Sequence, residues 1–270
     1  MNSYKRRFWA FSSTAGLGLM LFAQALHAQV QNSTNSSESV DTPSPSNDGW
    51  HVIVAPYLWF AGVHGTVGVA GREASVHASP GDVLNYVNLG IMVAVEPRYN
   101  RVLLPVDFMW IKLSDDKALP ISIVAITAKS RFTQSILTPK VGYRIFDQKA
   151  LKVDAVFGIR YWHLHGSLKF QPSLTGNTFS GSADWVDAVA GGKLQVALAP
   201  RVTATILGDA GGANAKLDYQ VAGLLGFRVT KKWTLQAGYR YLYVDYRPES
   251  TFVYNVRQPG VLFGSTWTLK

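Results

Sequence analysis

The sequence predicts an all-β chain, a closed antiparallel transmembrane barrel of about ten strands, and three observations carry that expectation. Strand-length segments alternate apolar and polar residues. No stretch beyond the N-terminal segment approaches about 18 successive apolar residues, so helical spans are excluded. Apolar residues make up 47% of the chain and charged residues only 16%, where soluble domains average about 25% charged. In lipid every backbone polar group must find a partner within the protein, which leaves strands closed on themselves.

Residues 1–28 read as a secretory signal. Lys5, Arg6 and Arg7 precede an apolar core from Phe8 to Phe22, too short for a spanning helix of about 20 residues. Small residues then offer cleavage after Ala25 or after Ala28. Residues 29–48, rich in Ser, Asn, Thr and Pro, read as a disordered periplasmic lead-in. The barrel occupies 49–270, and the expected location is the outer membrane of a Gram-negative cell, reached through the Sec signal. The chain has no cysteine, which excludes disulfides, thiolate metal sites and a lipidated cysteine. Its net charge of +9 is scattered, not gathered into a basic run with aromatics, so no nucleic-acid partner is expected.

The clearest strand is Leu151 to Trp162, where Leu151, Val153, Ala155, Phe157, Ile159 and Tyr161 alternate with Lys152, Asp154, Val156, Gly158, Arg160 and Trp162. A period of two puts these sets on opposite faces. Val186–Leu198 and Trp233–Tyr243 divide the same way. Gly142, Gly158, Gly191, Gly226 and Gly238 fall on the polar faces. A glycine gains nothing on a face turned to water, so these faces are expected to line a crowded interior while the aliphatics meet lipid. Strands are expected near 50–64, 89–98, 102–113, 129–146, 151–169, 182–199, 201–213, 216–230, 232–247 and 259–269. Eight or twelve remain alternatives, because Val63 to Ala78 reads either as loop or as a further hairpin turning at Ala70-Gly71-Arg72. Connections alternate long and short. Long ones belong outside, which puts Asp115, Thr175 and Glu249 outside and Asn100 and Gln148 in the periplasm. Trp50, Trp233 and Trp267 are expected in a periplasmic aromatic belt, and Trp110, Trp162, Trp185, Tyr243 and Tyr246 in an outer one. Pro80 to Val87 reads as a short helix with Asp82 near its start, either a lid on the barrel mouth or a capped turn.

Two stretches carry a family likeness. Ala55-Pro56-Tyr57-Leu58-Trp59, followed by Gly62 and Gly65-Thr66-Val67-Gly68, resembles the opening of a family of uncharacterised proteobacterial outer-membrane β-barrel proteins. Gly238-Tyr239-Arg240-Tyr241-Leu242 with Val244-Asp245-Tyr246 resembles that group's penultimate strand. The resemblance runs from about Trp50 to the C-terminus and implies a barrel. It imports no activity.

The largest polar set expected inside is Glu96, Asp107, Lys140, Arg144, Lys152, Asp154, Arg160, Asp187, Lys193, Asp209, Arg228 and Arg240. A barrel near eight strands is filled by its own side chains, so these charges are expected to pair across a narrow lumen; the alternative is a passive pore for small solutes. A second alternative is a membrane-boundary hydrolase acting on lipid A, with His165 drawing the proton from Ser167 and Asp184 orienting it. His163 belongs to the same stretch. The leading expectation is a barrel without catalytic, cofactor-binding or metal residues, whose partners are outer-membrane lipid, lipopolysaccharide and the barrel assembly machinery. Asp115-Asp116 reads as a solvated acidic turn. N-terminal sequencing of the exported protein is expected to return Leu26 or Gln29 as the first residue; an intact Met1 contradicts the signal.

Overall fold

The structure is a computed structural model that describes residues 49–69, 72–115, 127–171, 178–248 and 252–269. The predicted signal and lead-in lie outside these residues, as do Asp116, Thr175, Glu249 and the Ala70-Gly71 turn.

Strand β1 (Trp50–Ala61) opens the wall. Past Gly62 the chain forms a hairpin, β2 (Val63–Val69) and β3 (Arg72–Ala78), then a short helix α1 (Pro80–Tyr86). The remaining strands are β4 (Val87–Tyr99), β5 (Val102–Leu103), β6 (Val106–Asp115), β7 (Thr127–Asp147), β8 (Leu151–Gln171), β9 (Thr178–Ala199), β10 (Val202–Ala213), β11 (Leu217–Arg228), β12 (Trp233–Tyr246) and β13 (Val253–Leu269). Each pairs antiparallel with its neighbour, and β13 returns to β1 from Val52↔Leu269 to Ala61↔Gly260. The sheet therefore closes. β5 and β6 are one wall strand interrupted before Pro105, which has no N–H to donate, so the circle holds ten strands. The Val63–Ala78 hairpin forms as the alternative reading had it, but it adds no wall strand: β2 prolongs β1 along β13, and β3 pairs only with β2.

The short turns come where expected. Asn100 takes the left-handed conformation (φ 52°) between β4 and β5, an arrangement asparagine tolerates. The Thr230 hydroxyl accepts the Lys232 and Trp233 amides in the β11–β12 turn. Helix α1 begins at a capping box: Ser79 accepts from the Asp82 amide while Asp82 accepts from the Ser79 amide and hydroxyl. Those hydrogen bonds hold Asp82 below the usual carboxylate range. Their support for α1 is present above the ordinary carboxylate pKa and is lost as pH falls through the lowered value.

Side-chain polarity reverses along the barrel. In the half nearer the short turns, Phe157, Ile206, Leu225, Phe227, Phe263 and Leu269 are exposed on the outer wall while Lys140, Asp154, Arg160 and Asp209 point inward. On β8 this outward apolar run spans Leu151 to Tyr161, matching the 9–11 residues of a tilted spanning strand. Beyond it the pattern inverts. Trp162, Leu164, Leu242, Val244, Tyr254 and Val256 are buried inside, and His163, His165, Asp184 and Arg257 lie on the outer wall. Two expectations are corrected here. Trp162, Trp185 and Tyr246 are interior core and not an outer belt: Trp162 stacks on Trp185 at 5.3 Å and Trp185 on Tyr246 at 4.1 Å. Strand β13 starts at Val253, not near 259, because Tyr254 and Val256 fill this core and Pro259 sits within the ladder opposite Tyr241. The belt at the short-turn end stands, with Trp50 on Tyr99 and Trp233 on Trp267.

Gly158, Gly191 and Gly238 have a sharper reason than room for long side chains. A Cβ on Gly158 would lie 2.2 Å from the Pro139 carbonyl oxygen, and one on Gly191 would lie 2.0 Å from that of Gly208. The clash is with neighbouring backbone, which cannot swing aside, so these positions let a narrow sheet coil tightly. Gly158→Ala and Gly191→Ala are expected to destabilise the barrel by at least about 1–3 kcal/mol, the usual cost of overpacking. Gly223→Ala, with open space around it, is expected to be neutral. Urea titration in vesicles, followed by heat-modifiable gel migration, measures all three.

Candidate functional site in the barrel lumen

The inward faces of the polar strand segments together build a charged interior. Nearest the short turns, Arg144 on β7 donates to Asp154 on β8 (Nε–Oδ1 2.7 Å). Glu96 on β4 receives Arg98 from its own strand (2.6 Å) and Lys193 from β9 (2.6 Å). Above them the Arg160 guanidinium, fully buried, bridges Asp209 on β10 and Asp218 on β11. Asp209 also receives Lys140 and the Gln220 amide (2.7 Å), and Asp218 receives the Trp162 indole (2.8 Å). On the opposite wall, Tyr57 donates to Asp107 (2.7 Å) and accepts from Arg240 (3.0 Å), which also meets Asp107 at 3.1 Å.

Glu96, Arg98, Asp107, Lys140, Lys193, Asp209 and Arg240 border a cavity of about 460 Å³, with His51, Lys152, Gln195 and Thr268 also in its lining. Nearer the long connections, Trp162, Trp185 and Tyr254 form a buried cluster with Leu242, Val244 and Val256, and Tyr246 packs against it.

The expected interior set is largely brought together, with three exceptions. The Lys152 side chain is 40% exposed at the rim and meets the turn residue Asp147 at 3.8 Å. Arg228 is exposed at the rim, because β11 ends there. Asp187 is buried but pairs with no base among the described residues. Its Oδ1 accepts the amides of Ala213, Asn214 and Ala215 (2.8–3.0 Å) and its Oδ2 the Trp185 indole (2.9 Å), so it holds the β10–β11 turn. Arg160 lies opposite Asp187 in the ladder yet turns toward the lumen axis, where two carboxylates await it. Arg98, Tyr57 and Asp218 were not anticipated. Asp218 shares its face with Gln220 and Ala222, so alternation along β11 would have found it.

The hydrolase constellation does not assemble. His165 shares a hydrogen bond with Ser182 Oγ (2.8 Å), its cross-strand neighbour, and not with Ser167. Asp184 engages His163 (2.7 Å) and the Tyr161 hydroxyl (2.6 Å), and so does not orient His165. All lie on the outer wall, where the inverted polarity accounts for them. Among the described residues no group of three His, Cys, Asp or Glu side chains could hold a metal ion.

The chain matches no protein-family model and no curated protein. Solved structures it is similar to include the attachment invasion locus protein Ail of Yersinia pestis, at 14% identity over 82% of this chain and 99% of that one, with a TM-score of 0.37. The translocator domain of the autotransporter NalP from Neisseria meningitidis gives 13% identity, 94% and 97% coverage and 0.41. The outer membrane protease OmpT from Escherichia coli gives 9%, 85%, 99% and 0.44. Likenesses of this degree carry no argument about activity, and the barrel is established by its own ladders.

Removing one partner of a buried charge network costs about 3–5 kcal/mol, so Arg160→Ala, which leaves Asp218 without a base and Asp209 with Lys140 alone, is expected to lose that much. Asp187→Ala forfeits hydrogen bonds to a charged acceptor and is expected to lose about 1.5–3 kcal/mol. Equal, negligible effects on urea midpoints would contradict the network.

Proposed function

We propose that this protein is an integral outer-membrane barrel without catalysis, a structural element whose lumen is closed to through-flow. The observation that carries the reading is the layer of Trp162, Trp185, Tyr246 and Tyr254, whose rings pack on one another above the Arg160 network. Open aqueous channels belong to barrels of about 16 strands, and ten supply no spare cross-section once these rings are in place. The outward apolar run of about one bilayer thickness supports membrane residence. The short turns suit the periplasm and the long connections the outside. The polar wall above the apolar run, with His163, His165, Asp184 and Arg257, suits contact with the sugar and phosphate groups of lipopolysaccharide.

Planar-bilayer recording of the purified, refolded chain tests this reading. The expected trace shows no stable unitary steps. Large, long-lived, anion-selective steps from the unmutated protein would establish a pore instead.

A further inference from the structure

The barrel wall parts along one seam. β1 and β4 pair from Trp50↔Tyr99 to Pro56↔Val93 and no further. Beyond Pro56, β1 stays with β13 as far as Ala61↔Gly260, while β4 stays with β6 as far as Val87↔Leu113. Continued in register, Leu58 would lie opposite Ile91 and Trp59 opposite Gly90; neither pair forms. Unpaired wall in lipid is tolerated only where protein covers it. Helix α1 supplies the cover, packing on β1 and β6.

Between α1 and the wall lies a second cavity of about 140 Å³. Val83 of α1, Leu58, Val87, Ile111 and Phe132 give it an apolar lining, and its polar lining is Trp59, Gln134 and Gln258. The two glutamines satisfy each other and Tyr254. Trp59 finds no acceptor among the described residues: it is 5% exposed and its buried indole N–H has no partner there. A buried donor without an acceptor costs about 1–3 kcal/mol and calls for an explanation. The Arg240 guanidinium, itself paired with Asp107, lies over that ring at 4.8 Å from its centroid and holds it in place.

We propose that this seam binds one fatty acid from the bilayer, with its carboxyl oxygen accepting the Trp59 indole hydrogen and its chain leaving between β1 and β4 beneath α1. The proposal rests on the outer-membrane reading above. Outside the seam, Leu58, Leu84, Leu89 and Ile91 are each about half exposed, and they continue the apolar surface a hydrocarbon chain needs. A cavity of about 150 Å³ takes a benzene-sized group, so this one admits the first carbons of one chain and excludes a two-chain phospholipid.

Native mass spectrometry of the full-length, detergent-folded chain titrated with palmitic acid tests the site. One palmitate per chain is expected. Trp59→Phe keeps the ring and removes the donor, and it is expected to weaken binding about tenfold or more; Ile111→Trp fills the cavity and is expected to abolish it. Phe157→Ala, on the far outer wall, is expected to change nothing. Heat-modifiable migration verifies folding of each variant, and Trp59→Phe decides the matter if Ile111→Trp fails to fold. No palmitate adduct in the unmutated chain, or equal adducts in all folded variants, overturns the proposal. Flotation with vesicles is scored separately, so a chain that never enters a bilayer exposes failure of the membrane reading itself.

Discussion

The reversal of side-chain polarity along the barrel axis is the constraint on which the rest of this structure depends. Strands β7, β8 and β9 run 21, 21 and 22 residues, about twice what a bilayer requires, while their side chains keep a period of two apart from a register shift between Arg144 and Phe146. One strand must therefore satisfy two environments. Over the first stretch lipid takes the aliphatics and the charges go inside; over the second, water takes the polar residues and the aliphatics and aromatics go inside. Phe157 and Trp162 belong to one strand and face opposite ways for that reason.

Charges driven inward by lipid have to neutralise one another there, because an isolated ion out of water is far too costly. The network does this across the lumen and not only between adjacent strands. Arg160 reaches from β8 to Asp209 on β10 and Asp218 on β11, and Arg240 on β12 reaches Tyr57 on β1 and Asp107 on β6. Such pairs add little over well-packed apolar residues of equal size, yet breaking one is costly. Their value lies in geometry: they tie together strands that share no ladder. The Trp162 indole, donating to Asp218, joins the charged layer to the aromatic one above it.

Much of this was legible in the sequence, because alternation, tight turns and a short helix opening at Pro80 with Asp82 near its start are local signals. The interior charges followed from the same alternation, and so did the glycines, although their backbone-to-backbone reason appears only once the sheet is coiled. What escaped depended on where the membrane ends. A tryptophan near a strand end reads as a headgroup anchor, and only the inverted upper half turns Trp162 and Trp185 into core. Segment Val253–Gln258 reads as loop for a similar reason, since Asn255 and Arg257 point outward to water. His165 and Ser167 share a face by spacing, but the cross-strand neighbour Ser182 is closer in space. The β1–β4 seam is a matter of non-local pairing and leaves no local trace, apart from Pro56 where the ladder stops.

The chain has no cysteine, so single cysteines report directly on a lumen divided into a wet lower half and a dry upper one. The measurement is the rate at which a small charged thiol reagent labels Thr205→Cys and Val256→Cys in the folded barrel reconstituted in vesicles. Thr205 borders the polar cavity and Val256 lies in the aromatic layer. The account predicts rapid labelling at position 205 and protection at position 256 from either side of the bilayer. Comparable labelling at both positions would mean water runs the length of the barrel, and would contradict it.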